Sequence, residues 1–158
     1  MIKKLLRICL LFSIGMAFAS CKTYYISLNS FKEQFAGIDS TKLRIVYTQG
    51  PLGDIVDYPA NPIDLIQCTD KQNNKLELEN SPSLEITFIN KKNRKTVYYF
   101  DRIFVHDTLI TGYLAKSIMH KKSISLNSVQ RIEIRDGKKN FTYVAKKRSG
   151  EYEDIKDE

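Results

Sequence analysis

The chain has 158 residues, of which 27% are charged, and its formal net charge is +7. This length suits one domain with a hydrophobic core of its own. A basic surface can meet anionic lipid headgroups or acidic partners. The usual RNA- and DNA-binding motifs are absent from the sequence, so we expect no nucleic-acid partner.

The first twenty residues have the pattern of an export signal. Three basic residues, Lys3, Lys4 and Arg7, precede the stretch 8–19, which is largely apolar and carries no charge. This pattern is typical of a signal peptide, and the stretch is shorter than the roughly 20 apolar residues that a membrane-spanning helix needs. We therefore expect residues 1–20 to be removed. The net charge then falls from +7 to +4, because the three basic residues leave with the signal.

A short motif, Phe18-Ala19-Ser20-Cys21, ends that segment. It resembles the lipobox of bacterial lipoproteins. The resemblance implies cleavage before Cys21 and lipid on its thiol, and two or three acyl chains anchor a protein stably. The Lys-, Ile- and Asn-rich composition resembles that of Bacteroidetes lipoproteins, and their acidic surface-export signal is missing after Cys21. In enteric lipoproteins an Asp after the cysteine retains the protein in the inner membrane, and here Lys22 occupies that position. Together the resemblances imply an anchor in the bacterial outer membrane, with the domain facing the periplasm.

The mature chain divides into three segments. We expect residues 21–29 to form a lipidated tether, 30–145 a single β-rich domain, and 146–158 a charged, disordered tail. Within the tether, Tyr24 and Tyr25 either sit at the membrane interface or begin the fold as an edge strand.

One short N-terminal helix is predicted at 30–35. Ser30 and Glu33 have the spacing of a capping box. Phe31 and Phe35 are four residues apart, so they share one face of the helix. That face either packs on the sheet, which we favour, or docks a partner or the membrane.

The rest of the domain alternates short apolar stretches with polar turns. This predicts a mainly β fold, with an antiparallel sheet in a small barrel or a sandwich. The longest stretch, 96–106, is expected to bend or bulge and so serve two parts of a sheet. Asp136-Gly137 is the strongest hairpin signal in the chain. The expected strands are 43–48, 63–69, 76–79, 84–88, 96–106, 109–114, 123–126, 131–135 and 140–145.

Two motifs mark the second half of the domain: DTLITG at 107–112 and ISLNSVQRIEI at 124–134. With them, this half resembles a small SH3-like or Sm-like β-barrel, in which a pair such as Val129 and Ile132 flanks a short turn between strands. Such barrels carry unrelated functions, so the resemblance implies a fold and no activity.

The cysteines predict no intramolecular disulfide. Cys9 leaves with the signal and Cys21 takes lipid, so Cys68 stands alone. We interpret Cys68 as a small buried apolar residue, because a catalytic thiol needs a His partner and an electropositive, partly exposed setting.

A metal site would need His106 and His120 to converge with a carboxylate such as Asp101 or Asp107, and a hydrolase would assemble its site from Asp101, His106 and Asp107. The two histidines lie fourteen residues apart without a metal-ligand motif, and no catalytic fingerprint occurs in the sequence. We therefore expect no metal, no cofactor and no enzymatic activity.

Basic residues cluster at two predicted hairpin tips. If these tips converge, they form one basic rim that contacts anionic lipid or glycan. The competing interpretation is that turns are charged for solubility. The residues are Lys91, Lys92, Arg94 and Lys95 at one tip, and Lys138 and Lys139 at the other.

These observations predict a lipid-anchored envelope lipoprotein that acts as a non-catalytic binding or scaffold module. Its expected partners are the membrane, through lipid on Cys21, and an envelope protein. The alternative is a protein that contacts anionic lipid or glycan through its basic hairpin tips. An unrecognised hydrolase is the third hypothesis.

Overall fold

The computed structural model of the chain describes residues 22–115 and 117–155. This part is mainly β, with antiparallel strands and one α-helix, which confirms the predicted fold class. Its elements in chain order are β1 Thr23–Ile26, α1 Leu28–Gln34, β2 Arg44–Gln49, β3 Ile55–Ala60, β4 Leu65–Thr69, β5 Lys75–Glu79, β6 Leu84–Asn90, β7 Lys95–His106, β8 Leu109–Leu114, β9 Ser117–Ser125, a 3-10 turn Leu126–Ser128, β10 Val129–Asp136, β11 Thr142–Lys146 and β12 Tyr152–Asp154.

The strands form two sheets. The larger has eight strands in the order β5-β4-β1-β10-β6-β7-β8-β9, and the smaller has four in the order β12-β11-β2-β3. Neither sheet closes into a barrel. Of the two predicted forms, a small barrel and a sandwich, the structure therefore has the sandwich. The half that was expected to be an SH3-like or Sm-like barrel contributes β6 to β10 to the larger, open sheet.

The hydrophobic core lies between α1 and the larger sheet. Phe31 is completely buried, and its ring stacks on Phe35 with the centroids 4.5 Å apart. The two rings meet Phe88 and Phe100 edge to face at 5.4 and 5.7 Å. This confirms that Phe31 and Phe35 share a face and that the helix packs on the sheet.

The helix begins two residues earlier than predicted. Its N-cap is Ser27, whose Oγ accepts the backbone N–H of Ser30 at 3.1 Å. Ser30 therefore lies inside the first turn and does not cap the helix. The helix can begin this early because the preceding residues are already fixed in the sheet.

The expected tether is part of the fold. Residues 23–26 form β1, which lies between β4 and β10 inside the larger sheet. Tyr24 pairs with Ile134 and Ile26 with Ile132, and Ile26 is buried. The segment is ordered because its apolar side chains complete the core. Tyr24 and Tyr25 therefore begin the fold as a strand, which was one of the two alternatives, but the strand is interior and not at the sheet edge.

Two predictions near the C-terminus are also corrected. Asp136 ends β10 and Gly137 follows it, but the chain then crosses to β11 in the smaller sheet, so the two residues form no hairpin. The Gly137 N–H donates instead to the Ser83 carbonyl at 2.8 Å. The expected disordered tail contains β12, which pairs with β11 from Val144 to Lys146.

The long strand β7 carries a large bulge, as its length predicted. Its first half pairs with β6 through Tyr99, whereas its pairing with β8 jumps from Tyr98–Leu114 to Ile103–Gly112. Five residues of β7 therefore span the same distance as two residues of β8. The extra backbone turns Asp101 and Arg102 out of the regular ladder.

Asn61, which follows β3, holds this bulge in place. Its side-chain amide donates to the carbonyls of Phe100 and Ile103 at 2.7 and 3.2 Å. Its backbone N–H donates to the Asp101 carbonyl at 2.7 Å. Asn61 is buried, so these bonds satisfy carbonyls that the bulge removes from the sheet.

Among the described residues, no helix is long and apolar enough to cross a membrane.

Candidate functional site

A groove of about 750 Å³ separates one side of the smaller sheet from the end of β4 and β5. This volume is within the roughly 300–1,000 Å³ of ligand pockets in proteins. We call it the inter-sheet groove. One wall is formed by residues 44–47 and 141–144 with Asp154 and Ile155, and the other by Asp64, Leu65 and residues 79–82.

The groove is lined by exposed apolar side chains. Ile45 is 59% exposed, Leu65 56% and Ile155 58%, and they come from β2, β4 and the residue after β12. Only seven large apolar side chains of the described residues are exposed, so three of them at one groove is a concentration. A clustered exposed apolar surface marks an interaction site more often than single exposed residues do.

The charges of the groove are mostly acidic. Arg44 and Asp64 form an ion pair across it. Glu79 and Asp154 also line it, and neither carboxylate forms an ion pair or side-chain hydrogen bond within the described residues. The groove therefore offers an apolar surface and two available carboxylates.

Backbone contacts fix the shape of the groove. Asn80 donates its backbone N–H to the Asp64 carbonyl at 2.8 Å and its side-chain amide to the Ile63 carbonyl at 2.7 Å. Ile155 donates its N–H to the Tyr143 carbonyl at 3.2 Å. Each wall is thus held by hydrogen bonds that do not depend on a ligand, and the groove is preformed.

Behind the groove lies the one carboxylate that is buried among the described residues, Asp101. Its Oδ2 accepts the hydroxyl of Tyr58 at 2.5 Å and that of Tyr143 at 3.0 Å. Tyr143 also lines the groove. Thr48 donates its hydroxyl to the Tyr58 hydroxyl oxygen at 3.0 Å. Three strands of the smaller sheet are thereby joined to the bulge of β7.

This environment changes the acidity of its members. Burial raises the pKa of Asp101, against the opposing effects of Arg102 and the two tyrosine hydroxyls. Burial, and then the charge of Asp101, raise the pKa of Tyr58 and Tyr143 as well. The tyrosines therefore stay protonated and donate to Asp101.

Arg102 supports the same junction from the other side. Its guanidinium carbon lies 3.7 Å from the centroid of the Tyr58 ring and 4.3 Å from that of Tyr99. Its Nε lies 3.6 Å from Asp101 Oδ1. A cation held between two aromatic rings is stabilised by both π faces. Asp101 and Arg102 are thus buried side chains of the larger sheet that hold the smaller sheet through Tyr58 and Tyr143.

The two basic tips do not form one rim. The register of β6 and β10 pairs Asn90 with Val129 at one end and Leu84 with Asp136 at the other. The tip with Lys91, Lys92, Arg94 and Lys95 follows Asn90, and the segment with Lys138 and Lys139 follows Asp136. The seven residues of β6 separate these ends by about 20 Å.

Lys139 is engaged inside the protein. Its Nζ donates to the Tyr99 hydroxyl and the Ala115 carbonyl at 2.9 Å each, and lies 2.9 Å from a carboxylate oxygen of Glu85. Burial by itself lowers the pKa of Lys139, but the bonds to Tyr99 and Glu85 outweigh this and raise it. Its charge is therefore used to hold β6 and β7, and Lys138 remains exposed.

The residues of the hydrolase hypothesis do not converge. His106 and Asp107 are exposed neighbours, with Nδ1 and Oδ2 3.2 Å apart. Asp101 is buried five residues earlier in the same strand. Cys68 is buried in the core. No three His, Cys, Asp or Glu side chains of residues 22–115 and 117–155 group as ligands for a metal ion. Cys21, the predicted lipid site, lies outside the described residues.

The sequence pattern did not single out the groove. Ile45 and Leu65 lie in two separate predicted strands, and Ile155 lies in the segment 146–158 that was expected to be disordered. The alternation of exposed and buried positions in β4 assigns Leu65 to the side of Gln67, away from the buried Ile66 and Cys68. The exposed position of Leu65 could therefore be predicted from the sequence. That Ile45, Leu65 and Ile155 lie along one groove is seen only in the three-dimensional structure.

The chain matches no protein-family model, and no curated protein or solved structure is significantly similar to it.

Proposed function

We propose that this chain is a lipid-anchored, non-catalytic binding module of the bacterial envelope, whose inter-sheet groove holds a segment of a partner protein. The observation that carries the proposal is the grouping of Ile45, Leu65 and Ile155, all more than half exposed, along one preformed groove. Exposing these side chains to water is unfavourable, so a partner that covers them gains binding free energy.

The chemistry of the groove defines the partner segment. It is an extended stretch with apolar side chains that contact Ile45 and Leu65. Basic side chains flank them and meet Glu79 and Asp154, which lack an ion pair with any other described side chain. Complementary charges of this kind steer association and select the partner more than they add affinity.

The membrane half of the proposal is supported by the sequence of residues 1–21. The basic start, the apolar stretch and Phe18-Ala19-Ser20-Cys21 have the order that export and lipid attachment require. Lipid on Cys21 would keep the groove in the envelope compartment, where its partner must also occur.

The contacts of the buried charged side chains support the non-catalytic assignment. Asp101 accepts two tyrosine hydroxyls, and Arg102 lies between two rings. Both side chains take part in the junction between the sheets. A catalytic group would need access to a substrate, which their burial denies.

Site-specific photo-crosslinking tests the groove. Cells would produce the full chain with a C-terminal tag and a photo-reactive amino acid at Leu65 or Ile155. The matched control is Leu52, which is apolar and 94% exposed but does not line the groove. We expect one crosslinked protein from positions 65 and 155 and none from position 52. The crosslinked peptide should carry apolar residues next to Lys or Arg.

Charge reversal sharpens the test. Glu79→Lys should reduce crosslinking at position 65, whereas Asp57→Lys, at an exposed acid that does not line the groove, should not. Equal crosslinking from positions 52 and 65 would show that the groove is not the binding site.

The intact mass of the protein tests the anchor: Cys21 should carry acyl chains, and Cys21→Ala should abolish them.

A further inference from the structure

The fold begins immediately after the proposed lipid site. Thr23 is the first residue of β1, and it pairs with Arg135 of β10. Two residues of extended chain, from Cys21 to Thr23, span at most about 7 Å. Lipid on Cys21 would therefore lie within about 7 Å of the start of β1, so this end of the larger sheet is the one that can reach the membrane surface.

The sheet register identifies what else lies at this end. Tyr25 pairs with Thr69, so the turn between β4 and β5, residues 70–74, extends beyond β4 beside the start of β1. On the other side, β10 ends at Asp136, and Lys138 follows two residues later. We call this group of strand ends the anchor end of the sheet.

The anchor end is rich in available positive charge. Four of its lysines are exposed and form no ion pair with any other described side chain. Two carboxylates lie at the same end, those of Asp70 and Asp136, and each accepts a backbone N–H from its own turn, so the lysines outnumber these acids. Glu85 is already paired with Arg135 and Lys139. The available lysines are Lys22, Lys71, Lys75 and Lys138.

From this arrangement we propose that the anchor end docks on anionic headgroups of the bilayer through Lys22, Lys71, Lys75 and Lys138. The inference rests on the proposed lipid anchor at Cys21. It orients the domain with β1 starting at the membrane and the tip at Lys91–Lys95 pointing away, about 20 Å further along β6. At physiological salt, the field of anionic headgroups acts over about 8 Å, so only the anchor end feels it.

Two turns of the same geometry provide a matched pair of probe positions. In the turn after β4, Gln72 N–H donates to the side chain of Asp70, and Asn73 has a φ of 64°. In the turn after β6, Lys92 N–H donates to the side chain of Asn90, and Asn93 has a φ of 56°. Gln72→Cys and Lys92→Cys therefore place a label at equivalent positions of equivalent turns, one at the anchor end and one at the far end.

The test uses the full chain, processed and lipidated in a Gram-negative host and reconstituted into vesicles of phosphatidylcholine and phosphatidylglycerol. A fluorophore is attached to the introduced cysteine, which reacts selectively because Cys68 is buried. Lipids with a quencher on the headgroup are then added. We expect strong quenching of the label at position 72 and little at position 92. Equal quenching, or stronger quenching at position 92, would overturn the orientation.

Charge variants test the role of the lysines. In protein labelled at Gln72→Cys, the triple variant Lys71→Glu, Lys75→Glu and Lys138→Glu should lose roughly half of the quenching or more, because each basic side chain near an anionic surface contributes to binding. The matched control, Lys91→Glu, Lys92→Glu and Arg94→Glu, makes the same change in charge at the far end and should leave the quenching unchanged. The same loss in both variants would overturn the role of the anchor-end lysines.

The two proposals fail in different ways. A protein whose intact mass shows no acyl chain on Cys21 would contradict both the anchor and the orientation. An acylated protein with equal quenching at both positions would contradict the orientation alone. Crosslinking in the inter-sheet groove is a separate measurement, and it tests the partner site alone.

Discussion

Tyr58 donates its hydroxyl to Oδ2 of Asp101 at 2.5 Å, and this bond joins an edge strand of the smaller sheet to the bulge of β7 in the larger one. Tyr143 donates to the same oxygen from β11. We expect Tyr58→Phe and Tyr143→Phe each to lower the free energy of unfolding by about 1–3 kcal/mol, because each removes a hydrogen bond to a buried carboxylate. Urea unfolding at neutral pH measures this.

The control for these variants is Tyr25→Phe, since the Tyr25 hydroxyl has no hydrogen bond within the described residues. It should change the unfolding free energy by no more than about 0.5 kcal/mol. The double variant of Tyr58 and Tyr143 should be non-additive, because both hydroxyls share one acceptor. Losses as small as that of Tyr25→Phe would contradict the role of Asp101 as the junction.

The raised pKa of Asp101 predicts a pH dependence of stability. Burial lets the folded protein keep the Asp101 proton at pH values where the unfolded chain, with a pKa of about 3.9, has lost it. The folded state then binds more protons, so this group's contribution to stability falls as the pH rises from about 4 to the folded pKa and is constant above it.

Asp101→Asn removes this titration and keeps an acceptor for the tyrosines. The unfolding free energy of the variant minus that of the wild type should therefore increase as the pH rises through this window. The difference between the two proteins is the measured quantity, because it cancels the titration of all other groups. A difference that decreases over the window would mean that the pKa of Asp101 is lowered in the folded protein.

At Gly112, β8 packs closely against the bulge of β7, with no space for a larger side chain. A Cβ atom at this position would lie 2.5 Å from Ile103 Cγ2 and 2.8 Å from the Arg102 carbonyl oxygen. Gly112→Ala should destabilise the protein by about 1–3 kcal/mol, because backbone has to shift to relieve the contact. The neighbouring Thr111→Ala should cost less than about 1 kcal/mol. Thermal or urea unfolding distinguishes the two, and equal effects would contradict the close approach.

Cys68 should be nearly inert to thiol reagents while the protein is folded. Burial raises its pKa from 9.0 to about 11, so the reactive thiolate is about a hundredfold rarer near neutral pH. We expect the introduced thiol of Gln72→Cys to react with an aromatic disulfide reagent at least a hundredfold faster than Cys68 in the same protein. Urea should remove the difference. Comparable rates without urea would mean that the β4–β5 pair opens readily.

Local patterns in the sequence were sufficient for much of the fold. The alternation of Leu84, Ile86 and Phe88 corresponds to β6, and the polar stretch after Asn90 is the expected turn. The length of 96–106 correctly predicted a bulge, because a strand that pairs with two partners at different registers needs extra residues. These features depend on neighbours within one hairpin, which the sequence order already specifies.

Features that depend on distant parts of the chain were missed. The stretch that forms β3 contains Asp57 and Pro59, which weaken a strand pattern, and it is an edge strand that tolerates them. In the sequence, Asp101 resembles any charged strand residue. Its role depends on the hydroxyls of Tyr58 and Tyr143, which come from distant parts of the chain. The groove likewise needs the smaller sheet to be placed against β4 and β5. None of these relationships has a periodic signal along the chain.

The position of β1 also determines when this protein can fold. Ile26 pairs with Ile132, more than one hundred residues later, so the centre of the larger sheet stays incomplete until almost the whole chain is available. Such distant pairing makes folding slow. A nascent chain that cannot close its central sheet stays incompletely folded during most of its synthesis, and a chain without a completed fold is the form in which a polypeptide can thread through a narrow translocation channel.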